Sequence, residues 1–428
     1  MTDASSWPRG TSLDTLRAEL REWIRLNAPE GLAAVIDWNA RVDLPGSVGS
    51  RVSEETYAQA QRSPEFLAWE RCCLQARLVC PAWPVEFGGR GWEAPEMTVL
   101  DEEFFRAGVP RIDRVQGESM VGPSLILHGT EDQKARLLPS IRSGEHRYCQ
   151  GFSEPGAGSD LASARTRGVV DGDDLVITGQ KVWTSRFATA NMIFVLCRTD
   201  PDAQKHRGLT YVILPFTPGE NGIDVRPIRQ ITGGHEFAEV FFDETRAPLD
   251  NVIGGLGNGW KVVQSVLRFE RAAAGRATTM LLQARERELS ELAALATSSG
   301  RHLDPVVRQE MAWAHSQVAI LRASWHRTVA EVAAGREPGP QLSIWKLQWS
   351  ELHLRLAALG MELAGVNGVV RPEGDGYHLS RWQDAFLVAQ SGTIYAGTSD
   401  VQRNILGESV LGLPREPKPE QSKENVRA

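Results

Sequence analysis

The hydrophobic period of this chain changes twice along its length, and that double change restricts its possible folds more than any single residue does. From Leu13 to about Leu138 apolar residues recur at three and four, as in Leu13, Leu16, Leu20, Trp23 and Ile24, which predicts helices. Two loops interrupt them. One runs from Asp43 to Ser53; the other, Pro81-Ala82-Trp83-Pro84-Val85-Glu86-Phe87-Gly88-Gly89, carries enough Pro and Gly to stop a helix, which resumes from Pro95 to Ala107. Near Tyr148 the pattern turns extended. Gly168 to Thr178 predicts two strands around an Asp/Gly turn, followed by strands over Asn191 to Arg198, Leu209 to Phe216, Ile223 to Ile231 and Ala238 to Asp243. The cluster Gly254-Gly255-Leu256-Gly257 marks a hinge, and beyond Trp260 helical spacing returns through Val262, Val263, Val266 and Leu267, Val306 to Ala334, and Leu342 to Leu363. The plan is helix, sheet, helix: a helical region over residues 1–147, a β region over 148–256 and a helical bundle over 257–414. Residues 415–428 are polar and rich in Pro, Lys and Glu, a composition that predicts disorder.

A chain of 428 residues is long enough for two or three packed regions, and 42% apolar with 24% charged residues is ordinary globular usage. The formal charge of −7, without a basic run interleaved with aromatics, argues against nucleic-acid binding. No apolar run reaches the ~18 residues needed to span a bilayer, and residues 1–10 lack the basic and apolar segments of a leader, so a soluble, cytoplasmic protein is expected. Cys72, Cys73, Cys80, Cys149 and Cys197 are odd in number and lack His partners at zinc spacing, so they are expected to be reduced and mostly buried thiols, with no metal site.

Two segments of the β region carry chemistry. Phe152-Ser153-Glu154-Pro155-Gly156-Ala157-Gly158-Ser159-Asp160 is a loop able to bring backbone N–H groups close to a ligand, although composition alone fits a plain turn equally well. Ile177-Thr178-Gly179-Gln180-Lys181-Val182-Trp183-Thr184-Ser185 ends a strand with an aromatic ring and two hydroxyls, groups that stack on and hydrogen-bond to a flat heteroaromatic ring.

In their spacing these segments resemble the acyl-CoA dehydrogenase family, which carries Thr-Glu-Pro-x-Ala-Gly-Ser-Asp followed by Gly-x-Lys-x-Trp-Ile-Thr-Asn. Near the other end, Ile394-Tyr395-Ala396-Gly397-Thr398-Ser399-Asp400-Val401-Gln402-Arg403 is similar to the family's Tyr-Glu-Gly-Thr-x-x-Ile-Gln-Arg signature. The resemblance covers the chain to about Pro414. It implies an α+β fold: an N-terminal helical domain, a central β-barrel-like domain and a C-terminal four-helix bundle, assembled as a homodimer, homotetramer or heterotetramer. It implies FAD between sheet and bundle, an acyl-CoA or acyl-carrier thioester substrate, desaturation between its α and β carbons, and electrons passed to an electron-transfer flavoprotein. By motif position the cofactor residues are Phe152, Ser153, Ser159, Trp183, Ser185, Thr398 and Asp400. Ser153 and Ser185 meet the flavin ring, Trp183 lies against it, Thr398 meets phosphate, and Ser159 also meets the CoA portion of the substrate.

The base is the informative departure. Desaturation needs a carboxylate to remove the proton next to the thioester while a hydride leaves the β carbon. The family's usual Glu is replaced by Ala396, which accepts no proton. A minority of members place the Glu on the first long C-terminal helix, directly before an Arg; this chain has Arg268-Phe269-Glu270-Arg271 there, so Glu270 is the candidate base and Arg271 the matching substrate-side Arg. Without the resemblance, Glu270 would read as a solvated or salt-bridged surface residue. Other departures touch the cofactor. The family's Arg-x-x-Phe-Gly element is missing between Gln283 and Leu303, and its Gln-x-x-Gly-Gly-x-Gly element stands as Glu362-Leu363-Ala364-Gly365-Val366-Asn367-Gly368. That pattern suits a heteromeric member whose partner completes the FAD site.

Several conspicuous residues have ordinary explanations. His315, His326 and His353 lie on helical stretches as surface or satisfied core residues, and Trp313, Trp325, Trp345 and Trp349 as packing residues. Cys72 and Cys73 have no activating neighbour. Two competing functions stay open: a flavin monooxygenase or oxidase on the same fold, which Ala396 also fits but which has no need of Glu270, and a non-catalytic subunit, against which the intact sheet motifs argue.

Overall fold

The computed structural model describes residues 7, 11–36, 38, 59–334, 336, 339–340, 342–370, 372 and 378–414, with the side chains of residues 266–280 and 332–333 outside that set. The loop from Asp43 to Ser53 and the tail 415–428 lie outside the described residues.

The first helices form where apolar spacing and caps agree. Helix α1 (Leu13–Asn27) starts at Ser12, whose side chain accepts from the Thr15 amide, and buries Leu16, Leu20, Trp23 and Ile24. Helix α2 (Pro64–Gln75) has a Ser63 cap and Pro in its first turn, and α3 (Ala94–Ala107) stops at the left-handed Gly108. Between them Trp69 is fully buried against Trp23 and Phe104, its indole N–H donating to the Pro110 carbonyl at 2.8 Å. The segment 81–89 supports only a single 3-10 turn, Val85–Phe87.

A π turn (Gly117–Val121) then leads into α4 (Gly122–His128) and α5 (Glu131–Ser143). Thr130 and Gln133 form a reciprocal capping box at the start of α5. The Gln133 side-chain amide also donates to the carbonyls of Asp250 (2.8 Å) and Val252 (3.0 Å), tying this helix to the end of the sheet. Thr130→Ala is expected to lower stability by about 1 kcal/mol, the usual cost of a lost cap. A denaturant midpoint equal to that of the wild type would show the cap to be idle.

Eight strands follow: β1 (Tyr148–Gly151), β2 (Arg167–Asp171), β3 (Asp174–Ser185), β4 (Met192–Arg198), β5 (Leu209–Pro215), β6 (Ile223–Ile228), β7 (Phe237–Pro248) and β8 (Val252–Ile253). They make one mixed sheet in the order β6-β7-β3-β2-β4-β5-β8, with β1 parallel to β4. The hairpin of β2 and β3 closes at Asp171–Asp174, as the Asp/Gly turn predicts. Strand β6 is shorter than its apolar pattern and β7 longer. The short β1 and β8 have too few residues for any period to reveal them. In β4, Phe194 and Leu196 join the core shared with the N-terminal helices while Ile193, Val195 and Cys197 join a second core within the sheet, so the strand is apolar on both faces.

The turn Gly254-Gly255-Leu256-Gly257, with three glycines at positive φ, leads into α6 (Gly259–Ser298). Helices α7 (Pro305–Ala333), α8 (Leu342–Ala364) and α9 (Arg381–Gly392) complete the bundle around Leu292, Leu321, Leu356 and Ala389, and α10 (Ser399–Ile405) packs on α8. Within the bundle the Glu288 carboxylate receives Arg285 (3.1 Å) and Arg381 (3.0 Å), with His353 Nε2 at 3.4 Å. His353 is thus a buried core residue whose ring faces the Glu288 carboxylate, whereas His315 and His326 are exposed. Cys73, Cys80, Cys149 and Cys197 are buried and Cys72 is half-buried, all as free thiols. No helix among the described residues is long and apolar enough to cross a membrane.

Candidate active site

Strand β1 delivers the chain into a tight turn in which Glu154 and Ala157 exchange backbone hydrogen bonds of 3.1 and 3.0 Å. Glu154 folds inward from it. One carboxylate oxygen accepts from Lys181 Nζ and from the Thr166 amide, each at 2.8 Å, and the other accepts from the Arg165 amide at 2.7 Å. Lys181, fully buried on β3, also donates to the Phe152 carbonyl at 3.0 Å, and the Val182 amide donates to the Ser153 carbonyl at 2.9 Å. Burial works to raise the Glu154 carboxyl, but the ammonium and these amide donors hold it below the usual carboxylate range. The two motif segments, 27 residues apart at Glu154 and Lys181, are therefore bonded into one unit.

Beyond Lys181 the register with β7 shifts, so that Val182 and Trp183 bulge out between the buried Lys181 and Thr184. Trp183 has φ +62°, a left-handed backbone rarely adopted by a bulky residue, and its ring is 58% exposed and edge-on to Phe237. Ser153 and Ser185 are partly exposed, and their hydroxyls make no hydrogen bond among the described residues. The Thr184 hydroxyl is buried without a partner. Phe152 is buried, stacked edge-on against Phe194, which lies flat on Tyr211, and so acts as the platform beneath the loop. Ser159 is exposed at the loop's outer end.

The N-terminal part of the molecule meets α6 through α3, the π turn and α4, and the sheet meets it through β5. Glu270 and Arg271 lie on this helix, but their side chains are outside the described residues. The π turn is a feature that sequence reasoning missed. A widened turn breaks the 3.6 spacing on which helix reading depends, and such turns gather at functional sites. Gln116, at its head, is 3% exposed with its side-chain oxygen unpartnered, and no motif marks it.

The C-terminal motif stands apart. Ala396 has φ +52° and Gly397 φ +87°, and Gln402 Nε2 holds the Ala396 carbonyl at 3.0 Å. The Thr398 hydroxyl caps α10 by accepting from the Val401 amide at 3.2 Å, while Asp400 is exposed and faces Arg403 at 3.5 Å. No hydrogen bond or ion pair joins either residue to the sheet motifs among the described residues.

Three family models match in chain order: the N-terminal domain of acyl-CoA dehydrogenase over residues 50–145, the middle domain over 149–245 and the C-terminal domain over 257–411. Acyl-CoA dehydrogenase IpdE1 of Mycobacterium tuberculosis is 39% identical across 95% of this chain and 99% of its own length. The chain belongs to the acyl-CoA dehydrogenase family. IpdE1 of Mycolicibacterium smegmatis is 37% identical across 94% of the chain and 98% of its own length. Among solved structures, the Tcur3481-Tcur3483 steroid ACAD superposes with a TM-score of 0.73 at 30% identity, covering 95% of this chain and 98% of the other. The ChsE4-ChsE5 complex from Mycobacterium tuberculosis does so at 0.69 and 27%, covering 96% and 99%. The expected fold of helical, sheet and helical parts therefore stands.

Members of this family are flavoprotein oxidoreductases, and the Trp183 bulge fits such a group. An exposed ring, two hydroxyls without internal partners and one buried orphan hydroxyl stand together on one strand end and its adjoining loop. By contrast, Glu362, which stands where the family motif has Gln, is paired with Arg301 at 3.0 Å.

Proposed function

We propose that this protein uses FAD to desaturate an acyl-CoA, or a carrier-bound acyl thioester, between its α and β carbons, with Glu270 as the base. The observation that carries the reading is the unbroken course of α6 from Gly259 to Ser298, against the π turn, α4 and β5, with alanine at position 396. Only a carboxylate from this helix is then offered by the family's two known base positions. Bound FAD would supply the hydride acceptor. Ser153 and Ser185 would hold the ring by hydrogen bonds and Trp183 by contact. Thr398, whose hydroxyl accepts within its helix, still has a proton to donate to phosphate, with Phe152 and Asp400 shaping the surroundings. Ser159 would bind the CoA portion of the substrate, Arg271 would contact the substrate beside the base, and Glu270 would take the α proton. Electrons would then pass to an electron-transfer flavoprotein.

A heteromeric assembly is the second reading, favoured by the Arg301–Glu362 pair. A carboxylate already bound to Arg301 is a poor hold for the adenine end of a neighbour's FAD, so a partner subunit would complete the cofactor site. The steroid ACAD likeness makes bulky ring-bearing acyl thioesters the first to test. The protein, purified alone and with candidate partner subunits, is expected to be yellow and to bleach when one class of acyl-CoA is added without air. A colourless protein in both preparations would remove the flavoenzyme reading. Fast reoxidation by air with substrate bound would favour an oxidase or monooxygenase instead.

A further inference from the structure

The Glu154–Lys181 pair is absent from the proposed chemistry, yet it is a buried charge pair in which both carboxylate oxygens and the ammonium are hydrogen-bonded. Lys181 is 0% exposed and Glu154 9% exposed, and the pair exchanges charge-assisted bonds with three backbone groups: the Phe152 carbonyl and the amides of Arg165 and Thr166. Each bond acts on a different segment. The Phe152 carbonyl fixes the entry to the loop and the Glu154 side chain fixes its turn. The two amides belong to the stretch leading into β2, and Lys181 itself is the last residue before the Trp183 bulge.

We propose that Glu154 and Lys181 are positioning residues for the flavin: the pair sets the loop and the bulge in one register, so that Ser153, Trp183 and Ser185 are presented together. The inference rests on the flavoprotein reading above. Its physical basis is that neither segment fixes itself. The loop has one internal turn, and the bulge departs from the β3–β7 ladder where Trp183 carries an unfavourable backbone. What spans the two is the Lys181 ammonium and the Val182–Ser153 bond at 2.9 Å. Without the ammonium, Phe152 loses its donor and Glu154 becomes a buried carboxylate held by amides alone. Ser153, which lies between them, is then tied to the bulge by the Val182 bond alone, with the residue on either side of it released from Lys181.

Lys181→Met and Glu154→Gln test this, alone and combined, in the full-length protein with its partner subunit if one is required for FAD. Three quantities are measured: the FAD dissociation constant, the visible circular dichroism of the bound flavin, and thermal unfolding of the FAD-free chain. Each single variant is expected to weaken FAD about tenfold, in the middle of the range for residues sharing one network, and to change the flavin dichroism. The double variant is expected to be no worse than the weaker single variant. Lys205→Met, which removes the exposed ion pair to Asp160 in the same loop, is expected to bind FAD like the wild type. If Lys181→Met does not fold, Lys181→Arg is measured in its place, since it keeps the charge and displaces the donor from Phe152. Variants that melt earlier but bind FAD with wild-type affinity and an unchanged dichroism would make the pair merely structural and overturn the proposal. A wild-type chain that takes up no FAD under either condition would instead overturn the flavoprotein reading itself.

Discussion

Replacing Glu270 with Gln is expected to lower turnover of the acyl thioester by about 10³-fold or more while bound flavin stays yellow; removal of a positioned general base commonly costs ~10²–10⁴-fold. Gln keeps the shape and most of the polarity of Glu but cannot take the α proton. Ala396 offers no substitute in the C-terminal motif. Because the change is confined to proton transfer, substrate affinity is expected to hold, so the loss falls on kcat and not on binding. Stopped-flow reduction of the flavin by substrate measures the step directly. A Glu270→Gln protein that bleaches at the wild-type rate would remove Glu270 from the mechanism, and restoring activity in it by Ala396→Glu would show that the two positions serve one substrate atom.

The largest expected loss of stability lies in the bundle. Glu288 is 3% exposed, and Arg285, Arg381 and His353 all converge on it. Glu288→Gln leaves the 5% exposed Arg285 without a counter-charge, a change expected to cost about 3–5 kcal/mol. Arg285→Met with Glu288→Leu removes both charges at similar volume and is expected to be less harmful than Glu288→Gln alone. The network also sets a pH dependence. Burial works to raise the Glu288 carboxyl, but Arg285, His353 and Arg381 hold it well below the usual carboxylate range. Burial, then Arg285, pushes the His353 imidazole below its ordinary value. Both groups bind fewer protons folded than unfolded in mild acid, so their contribution is complete above the unfolded values of ~6.5 and ~4.3 and is lost as pH falls. Denaturant midpoints measured from neutral pH to pH ~4 are expected to fall for the wild type, with Glu288→Gln lower throughout and shallower at the acid end. Equal midpoints at neutral pH would show the network to be dispensable.

Much of this was legible in the residues. The Leu16, Leu20, Trp23, Ile24 stripe is a helix face, the Asp171–Asp174 turn closes a hairpin, and both motif segments sit at adjoining strand ends. What escaped reading is what depends on neighbours distant in sequence. Lys181 stands in a motif whose spacing names no partner for it until the fold places Glu154 beside it, and Glu288 and Arg381 lie 93 positions apart on different helices. The π turn and Gln116 escaped for the opposite reason: an extra residue in a turn erases the local period that would announce it.

The backbone at Trp183 has a consequence for how this sheet can change. A tryptophan held at φ +62° costs folding free energy on the order of 1–3 kcal/mol, and a glycine there would relieve it. Against that relief stand the edge-on contact of the indole with Phe237 and the greater chain entropy of an unfolded glycine, so the bulge carries its exposed ring at little net gain to folding. The strand end is therefore replaceable without unfolding: a Trp183→Gly chain is expected to keep a thermal midpoint close to that of the wild type while the bulge loses its exposed aromatic surface.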